Sequence, residues 1–292
     1  DVLGRKQNVN DTSKLVEFKN KTILITGAGG SIGSELSRQI LSLQPKNLIL
    51  LDNNEYSLFK ISSELKNKCT YSLSDIRDKD KLDKILNKLK PDFIFHAAAL
   101  KHISFVEEDP CEAIKTNFLA TVSLCQLCIK YKIKKLVFIS TDKAVYPSNI
   151  MGATKRLCEK YIQQIAKKES GTNFSIVRFG NVLGSTGSVV PIFENQINTN
   201  NEVTITHPKV KRYFMTIREA VELVLISSQI KNSKNGNIFI LEMGKPVLIK
   251  DLAKKMINLS GKDVKNVKIK YTGLRKGEKL DEQLFFSEDL EP

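Results

Sequence analysis

The sequence predicts an α/β fold: a doubly wound parallel sheet with a smaller α/β lobe beside it. Three observations carry that reading. Short β-branched runs alternate strictly with helix-patterned stretches from "KTILITG" to "NFSIVRF", and apolar strands in such alternation mean a parallel sheet covered on both faces. The first run ends in "GAGGSIG" and opens a helix, which places a glycine-rich turn where free N–H groups can face a phosphate. After Gly180 the rhythm loosens into isolated strands, "EVTITHP", "GNIFILEMG" and "VKNVKIKYTG".

Residues 1–20 are polar and irregular and read as a lead-in arm. "KTILITG" is the first strand and "SIGSELSRQILSL" the helix behind it, with Ile32, Leu36 and Ile40 on one face. "NLILLD", the helix "NEYSLFKISSELK" and the strand "CTYSLSD" follow. In "KDKLDKILNKL" the apolar residues 82, 85, 86 and 89 mark an amphipathic helix. "DFIFHAAA" is the fourth strand, a long helix is expected from Pro110 to Tyr131, and "KKLVFIST" is the fifth strand. A helix carrying Met151 and Lys155 precedes the sixth, "NFSIVRF". The expected sheet order is 3-2-1-4-5-6, the Rossmann arrangement. Residues 21–180 would then form the dinucleotide-binding domain and 181–292 mainly a substrate lobe, with a strand that could return to the sheet.

The 292 residues suffice for this architecture, and an ordinary apolar fraction of 41% argues against global disorder. No apolar run approaches the roughly 18 residues of a membrane span, and no signal peptide is visible. The chain starts at Asp1 rather than Met, so a preceding membrane segment stays open. The formal charge of +14 comes from lysines scattered over surface-type helices rather than from one aromatic-laced stripe. Nucleic acid is therefore not expected as a partner; an anionic small substrate, an anionic membrane surface or plain solubility fit better. Among five cysteines, Cys125 and Cys128 make a lone CxxC inside a helix. Without a second pair or a nearby histidine no metal is expected, and buried reduced thiols of a cytosolic protein are the favoured reading.

Gly27, Gly30 and Gly33 allow a tight turn and close backbone approach to a pyrophosphate, with Ser31, Ile32 and Gly33 opening the helix. Asp52 and Asn53 end the second strand, where a carboxylate accepts ribose hydroxyls and repels a 2′-phosphate. No arginine stands nearby to welcome such a phosphate, so NAD is expected over NADP. Asp75 and Ile76 end the third strand, with adenine contact or a simple helix N-cap as equal readings for Asp75. Ala97, Ala98 and Ala99 are small enough for the dinucleotide backbone to lie close. Thr141, Asp142 and Lys143 crowd a strand end, a costly arrangement unless the groups act on a ligand; an ion-paired loop is the alternative. Met151 and Lys155 share a helix face at i, i+4, both able to face the nicotinamide.

Taken together, "TGAGGSIGSEL", "HAAALKH", "STDKAV" with "MGATK", "RFGNVLGS", "RYFMT" and "GLRKGEKL" resemble the extended short-chain dehydrogenase/reductase family. Within it they resemble the configuration-retaining UDP-N-acetylglucosamine 4,6-dehydratases of bacterial polysaccharide and glycan synthesis, over nearly the whole chain. That branch has methionine where the wider family has its tyrosine base, in agreement with Met151. Its membrane-bound members carry transmembrane helices before a linker like "DVLGRK", which implies a soluble catalytic part on the cytoplasmic side of the inner membrane. A homo-oligomer is expected.

The resemblance implies an internal redox cycle: oxidation at C4, loss of the C5 proton, departure of water from C6 and return of hydride to C6. Lys143 would be the C5 base, Asp142 the acid for the leaving hydroxyl, Thr141 the partner of the 4-hydroxyl, and Lys155 the holder of the nicotinamide ribose. Asn181, Arg212, Arg275 and Glu278 match positions that contact the nucleotide sugar, and Lys101 and His102 are further substrate-side candidates. Tyr146 departs from the pattern, as an extra phenol near the site or a surface residue. A UDP-sugar 4-epimerase or a silent NAD-binding regulatory module are the rival readings.

Overall fold

The computed structural model describes residues 11–12, 15–66, 68–168, 171–230 and 234–287. β1 (Thr22–Thr26) is buried along its whole length. α1 (Ser31–Ser42), β2 (Asn47–Asp52), α2 (Glu55–Glu64), β3 (Thr70–Leu73), α3 (Lys79–Leu89) and β4 (Phe93–His96) follow in alternation. α4 (Ile103–Glu108), α5 (Pro110–Ala113), α6 (Ala120–Lys130), β5 (Lys135–Ile139), α7 (Ile150–Ala166) and β6 (Asn173–Arg178) complete the first half. The second half holds β7 (Asn181–Leu183), α8 (Val189–Asn200), β8 (Glu202–Ile205), β9 (Lys211–Arg212), β10 (Phe214–Thr216) and α9 (Ile217–Ser228). It ends with β11 (Asn237–Ile240), β12 (Val247–Leu248), α10 (Ile249–Leu259) and β13 (Lys268–Tyr271).

The main sheet runs β11-β6-β5-β4-β1-β2-β3, with every pairing parallel. This is the expected order 3-2-1-4-5-6 with β11 added beside β6. One apolar layer packs α1 and α9 against the sheet through Leu36, Ile40, Val221 and Leu225. The other packs α3, α6 and α7 through Leu82, Leu86, Leu124, Cys158 and Ile162. A third cluster, built from Phe193, Ile197, Val203, Leu252 and Ile257, joins α8, β8 and α10. Around it lie paired short strands: β10 with β7, β12 with β9, β13 with β8.

Three features differ from the sequence reading. The lead-in is not free at its end: Phe18 is fully buried and meets Phe93 edge-on at 5.3 Å, with Leu15 beside it. One 3-10 turn, Val16–Phe18, shows no periodicity that could have announced it. The long helix from Pro110 is interrupted by a π-helical segment, Ile114–Leu119. There the Asn117 carbonyl accepts from Thr121 Oγ1 at 2.6 Å and from Cys158 Sγ of α7 at 3.0 Å, so side chains on both helices bond to the segment's backbone. Finally, Cys125, Cys128 and Cys158 are buried, but Cys69 is half-buried and Cys111 exposed, all as free thiols. Among the described residues no helix is long and apolar enough to cross a membrane, and no cluster of ligands could hold a metal ion.

Candidate active site

At the sheet's carboxyl edge the glycine turn is fitted against its neighbours. Gly27 has φ +67°, and a Cβ there would lie 2.7 Å from the Ala98 backbone. A Cβ at Gly33 would lie 2.0 Å from the Gly27 carbonyl oxygen, so α1 can start this close to β1 only with glycine. Gly30 is the N-cap of α1, and no side chain caps it; the first amides of Ser31, Ile32 and Gly33 belong to that open end. Asp52 is buried, and its two oxygens accept from the Gly29 amide at 2.8 Å and the Asn54 amide at 2.9 Å. A carboxylate has lone pairs beyond those two, so the residue both braces the turn and can still accept.

Asp75 and Ile76 lie just beyond β3. Arg77 holds the Asp75 carboxylate bidentately and, by hydrogen bonding to it, below its ordinary range. Asp75 is not a helix cap: α3 is capped by Asp78, whose side chain accepts from the Lys81 amide. Ile76 is buried in the core and Asn53 is exposed. Beyond β4, the Ala97–Ala99 run leads to Lys101, whose ammonium donates to the Thr186 carbonyl at 2.8 Å. Thr186 also donates its amide to Ser31 Oγ at 3.1 Å. The loop after β7 therefore spans from Lys101 to the start of α1, with Gly187 seated on the His102 ring.

The end of the fifth strand brings Thr141, Asp142 and Lys143 together. Thr141 Oγ1 donates to Asp142 Oδ1 at 2.9 Å, and Lys143 Nζ donates to the same oxygen at 2.9 Å. Lys143 Nζ also reaches Asn181 Oδ1 at 3.1 Å. Asp142 is fully buried, yet its second oxygen, Oδ2, has no hydrogen-bond partner among the described residues. On α7, Lys155 donates to the Ile139 carbonyl at 2.8 Å and stands over the Phe138 ring at 4.5 Å. Burial pushes its amine down to about 8. Met151, one turn earlier, packs with Val106, Ala113 and Ile103. Between them Gly152 lets the helix touch the loop, since a Cβ there would come 2.1 Å from the Lys143 carbonyl oxygen.

The substrate-side candidates form a scaffold of their own. Arg212 is buried, and its guanidinium donates to Glu278 Oε1 at 3.2 Å and to the carbonyls of Lys211, Lys279 and Leu280. Glu278 also accepts from Thr206 Oγ1 and from the Arg275 amide. Arg212 and Glu278, both expected to contact the nucleotide sugar, pair with each other and shape one loop. Arg275 is exposed on that loop, and its side chain makes no ion pair among the described residues.

Residues 23–292 match the family described as polysaccharide biosynthesis protein. The chain belongs to that family. The capsular polysaccharide biosynthesis protein CapD of Staphylococcus aureus is 46% identical over all of this chain and 50% of its own length. The chain thus spans about half the length of the first curated relatives it matches. A Campylobacter jejuni relative named UDP-N-acetylglucosamine 4,6-dehydratase (inverting) is 35% identical, over 93% of this chain and 79% of its own. One from Rickettsia canadensis named UDP-glucose 4-epimerase is 38% identical, over 94% and 80%. The X-ray structure of Pen from Bacillus thuringiensis superposes with a TM-score of 0.85 at 39% identity, covering 92% of this chain and 82% of that one.

The sequence reading missed the groups that brace the site. Arg178 and Glu159, both fully buried, pair at 2.7 Å through two hydrogen bonds, and Ser140 Oγ donates to the same carboxylate at 2.7 Å. An arginine and a glutamate separated in sequence carry no local signal of pairing. Asn117 was missed as well: its side chain holds both backbone groups of Leu100 and donates to Thr154 Oγ1. Tyr146 is exposed: its ring meets Phe286 at 4.7 Å and its hydroxyl contacts Ser287 Oγ at 3.0 Å. Glu282 is the last omission, buried 3.9 Å from Lys143.

Proposed function

We propose that the chain is the catalytic part of an NAD-dependent UDP-N-acetylglucosamine 4,6-dehydratase that retains configuration at C5 and supplies bacterial glycan or polysaccharide synthesis. The observation that carries this is the buried Asp142, with one oxygen on Thr141 and Lys143 and the other unpaired. A buried carboxylate left half-satisfied beside a lysine costs stability unless a ligand completes it. The residues fit NAD: the glycines leave no room for side chains, α1 starts uncapped, and Asp52 stands ready without an arginine. Ser31, Ile32 and Gly33 would hold the pyrophosphate, Asp52 the adenosine ribose, and Lys155 the nicotinamide ribose. NAD held there would supply a reversible hydride acceptor beside the sugar.

The chain's own residues do the rest. Thr141 holds the 4-hydroxyl and relays its proton to the Asp142 carboxylate, to which Thr141 Oγ1 already donates, as C4 becomes a ketone. Once C4 is a ketone, Lys143 in its neutral form takes the C5 proton, the C–H electrons form the C5–C6 double bond, and the C6–O bond breaks. Asp142 gives its proton to the departing hydroxyl, which leaves as water. Lys143 then returns its proton to C5 on the face it came from, which gives retention; Met151 offers no phenol for delivery from elsewhere. Asn181, Arg275 and the loop ordered by Arg212 and Glu278 would hold the UDP, because forked guanidinium donors suit a diphosphate.

The 4-epimerase is the second reading, favoured by the Rickettsia relative. An epimerase needs no C5 base, so the Asp142–Lys143 pair argues against it. Incubation with UDP-N-acetylglucosamine decides between them: the dehydratase yields a product lighter by one water, with solvent deuterium at C5 when run in deuterium oxide. An unchanged mass with an altered C4 configuration would make it an epimerase, and no product would leave a silent binding module.

A further inference from the structure

Glu282 lies outside every sequence motif of the site, two residues beyond "GLRKGEKL". Its side chain is 3% exposed, and Oε1 stands 3.9 Å from Lys143 Nζ. Oε2 lies 3.8 Å from Lys279 Nζ and accepts no hydrogen bond among the described residues. Asp142 Oδ2 is the other orphan carboxylate oxygen on this lysine's partners. Lys143 is therefore held between two buried acids, Asp142 at 2.9 Å and Glu282 at 3.9 Å, with Asn181 as its neutral partner.

The segment that brings Glu282 here is fastened on both sides. Before it, Lys279 donates to the Val145 carbonyl at 2.8 Å, and the Leu280 carbonyl accepts from Arg212. After it, the Leu284 carbonyl accepts from Arg178 at 3.5 Å, and Phe286 lies 4.0 Å under the Arg156 guanidinium and beside Tyr146. These anchors grip the back of the strand end that carries Thr141, Asp142 and Lys143. A carboxylate placed by so many fixed contacts, and left with an open oxygen, is not a solvated surface charge.

Resting on the dehydratase reading, we propose that Glu282 is a positioning residue of the catalytic centre: it acts through Lys143, holding the amine between two carboxylates and setting how readily it sheds its proton. The charged groups that face Glu282 are Lys143 and Asp142 from the fifth strand's end, Arg212 from β9 and Lys279 from its own segment. Burial raises its carboxyl above the ordinary range and Asp142 adds to this, while Lys143, Arg212 and Lys279 oppose. Even so lifted, a carboxyl ionises before a lysine amine releases its proton. At that point a charged Glu282 stabilises the ammonium form of Lys143.

The sign follows. A general base works in its unprotonated form, so the rate rises with pH as Lys143 becomes neutral. Glu282→Gln keeps the shape and removes the charge, which makes the amine neutral at lower pH. In the full chain carrying its cofactor, the acid limb of the kcat profile should move down by about one pH unit. Independently of turnover, the rate of Lys143 acylation by acetic anhydride near pH 7.5, read by peptide mass spectrometry, should rise about threefold or more. Glu282→Met, apolar and of similar volume, should behave alike and serves if the glutamine variant folds poorly. An unmoved profile together with unchanged Lys143 acylation in a folded variant overturns the proposal, whatever happens to kcat. If the wild type removes no water from UDP-N-acetylglucosamine but acylation still rises in the variant, the dehydratase reading fails while the coupling of Glu282 to Lys143 stands.

Discussion

Two buried ionic centres lie on either side of the same strand end, and they are built to opposite specifications. Behind β5, Glu159 meets Arg178 through two bonds of 2.7 Å and also accepts from Ser140 and Arg156, so both carboxylate oxygens are used. In front, Asp142 shares one oxygen between Thr141 and Lys143 and leaves the other without a hydrogen bond, and Glu282, 3.9 Å from Lys143, likewise has one oxygen without a hydrogen bond among the described residues. Ser140, which donates to the first centre, and Thr141, which donates to the second, are neighbours in the chain. A fully satisfied buried pair fixes geometry, whereas a half-satisfied one keeps capacity for a ligand. The first centre braces the backbone that carries the second.

The sharpest test changes the front centre alone. Asp142→Asn keeps size and hydrogen bonding but removes the transferable proton, and turnover should fall by about 10²–10⁴-fold with the folded state intact. Lys143→Ala should lose comparable activity together with deuterium incorporation at C5. The check is turnover at saturating substrate on variants whose thermal unfolding and bound dinucleotide match the wild type. Normal turnover in either variant would erase the distinction between the centres.

Changing the rear centre should reverse the pattern. Arg178→Met leaves Glu159 buried with Arg156 and Ser140 as its remaining partners. Breaking one side of a buried pair costs about 3–5 kcal/mol of stability, measured by urea unfolding. A stable but inactive Arg178→Met protein would mean that this pair, too, serves chemistry directly.

Lys155 sits between the two and offers a pH test. Burial pushes its amine from 10.5 down to about 8, with Cys158 and Glu159 opposing that shift. Above that folded value and below the unfolded one, the unfolded chain binds more protons, so stability rises with pH over that window; below it the full cost is present. The shift is worth about 3 kcal/mol. Lys155→Met should therefore gain relative to wild type below pH 8 and lose that advantage by about pH 10.5. Unfolding of both proteins across that range, without dinucleotide, is the measurement. A constant difference would show that the Ile139 carbonyl and the Phe138 ring offset the burial of the charge.

How much of this could be read from the sequence follows the same division. Everything written in local periodicity was legible: the alternation that orders the sheet, the glycine turn, Asp52 at a strand's end, and Thr141–Asp142–Lys143 at another. What depended on distant pairing was not. Glu159 with Arg178, Arg212 with Glu278, and Glu282 with Lys143 each join residues whose separation leaves no period or motif. The π-helical segment around Asn117 was invisible for a related reason, since its register is set by Leu100 and Thr154 rather than by helix propensity.

The smallest expected effect concerns Met151, the residue that stands where a catalytic phenol would be expected. Its thioether is a weak acceptor and a soft packing group, not a proton carrier. The structure gives it packing neighbours, Val106, Ala113 and Ile103, and leaves it 4% exposed. Its backbone carbonyl accepts from Thr154 Oγ1, a contact that any side chain preserves. A swap between apolar side chains of similar size costs less than ~1.5 kcal/mol, far below the loss expected for a general base. Met151→Leu should therefore keep turnover within about tenfold of wild type, the loss that ~1.4 kcal/mol of lost transition-state stabilisation corresponds to. The same assay on Asp142→Asn, under identical substrate and dinucleotide loading, gives the scale for comparison. If Met151→Leu falls as far as Asp142→Asn, then the floor of the site belongs with the front centre, and proton removal from the 4-hydroxyl depends on more than Thr141 and Asp142.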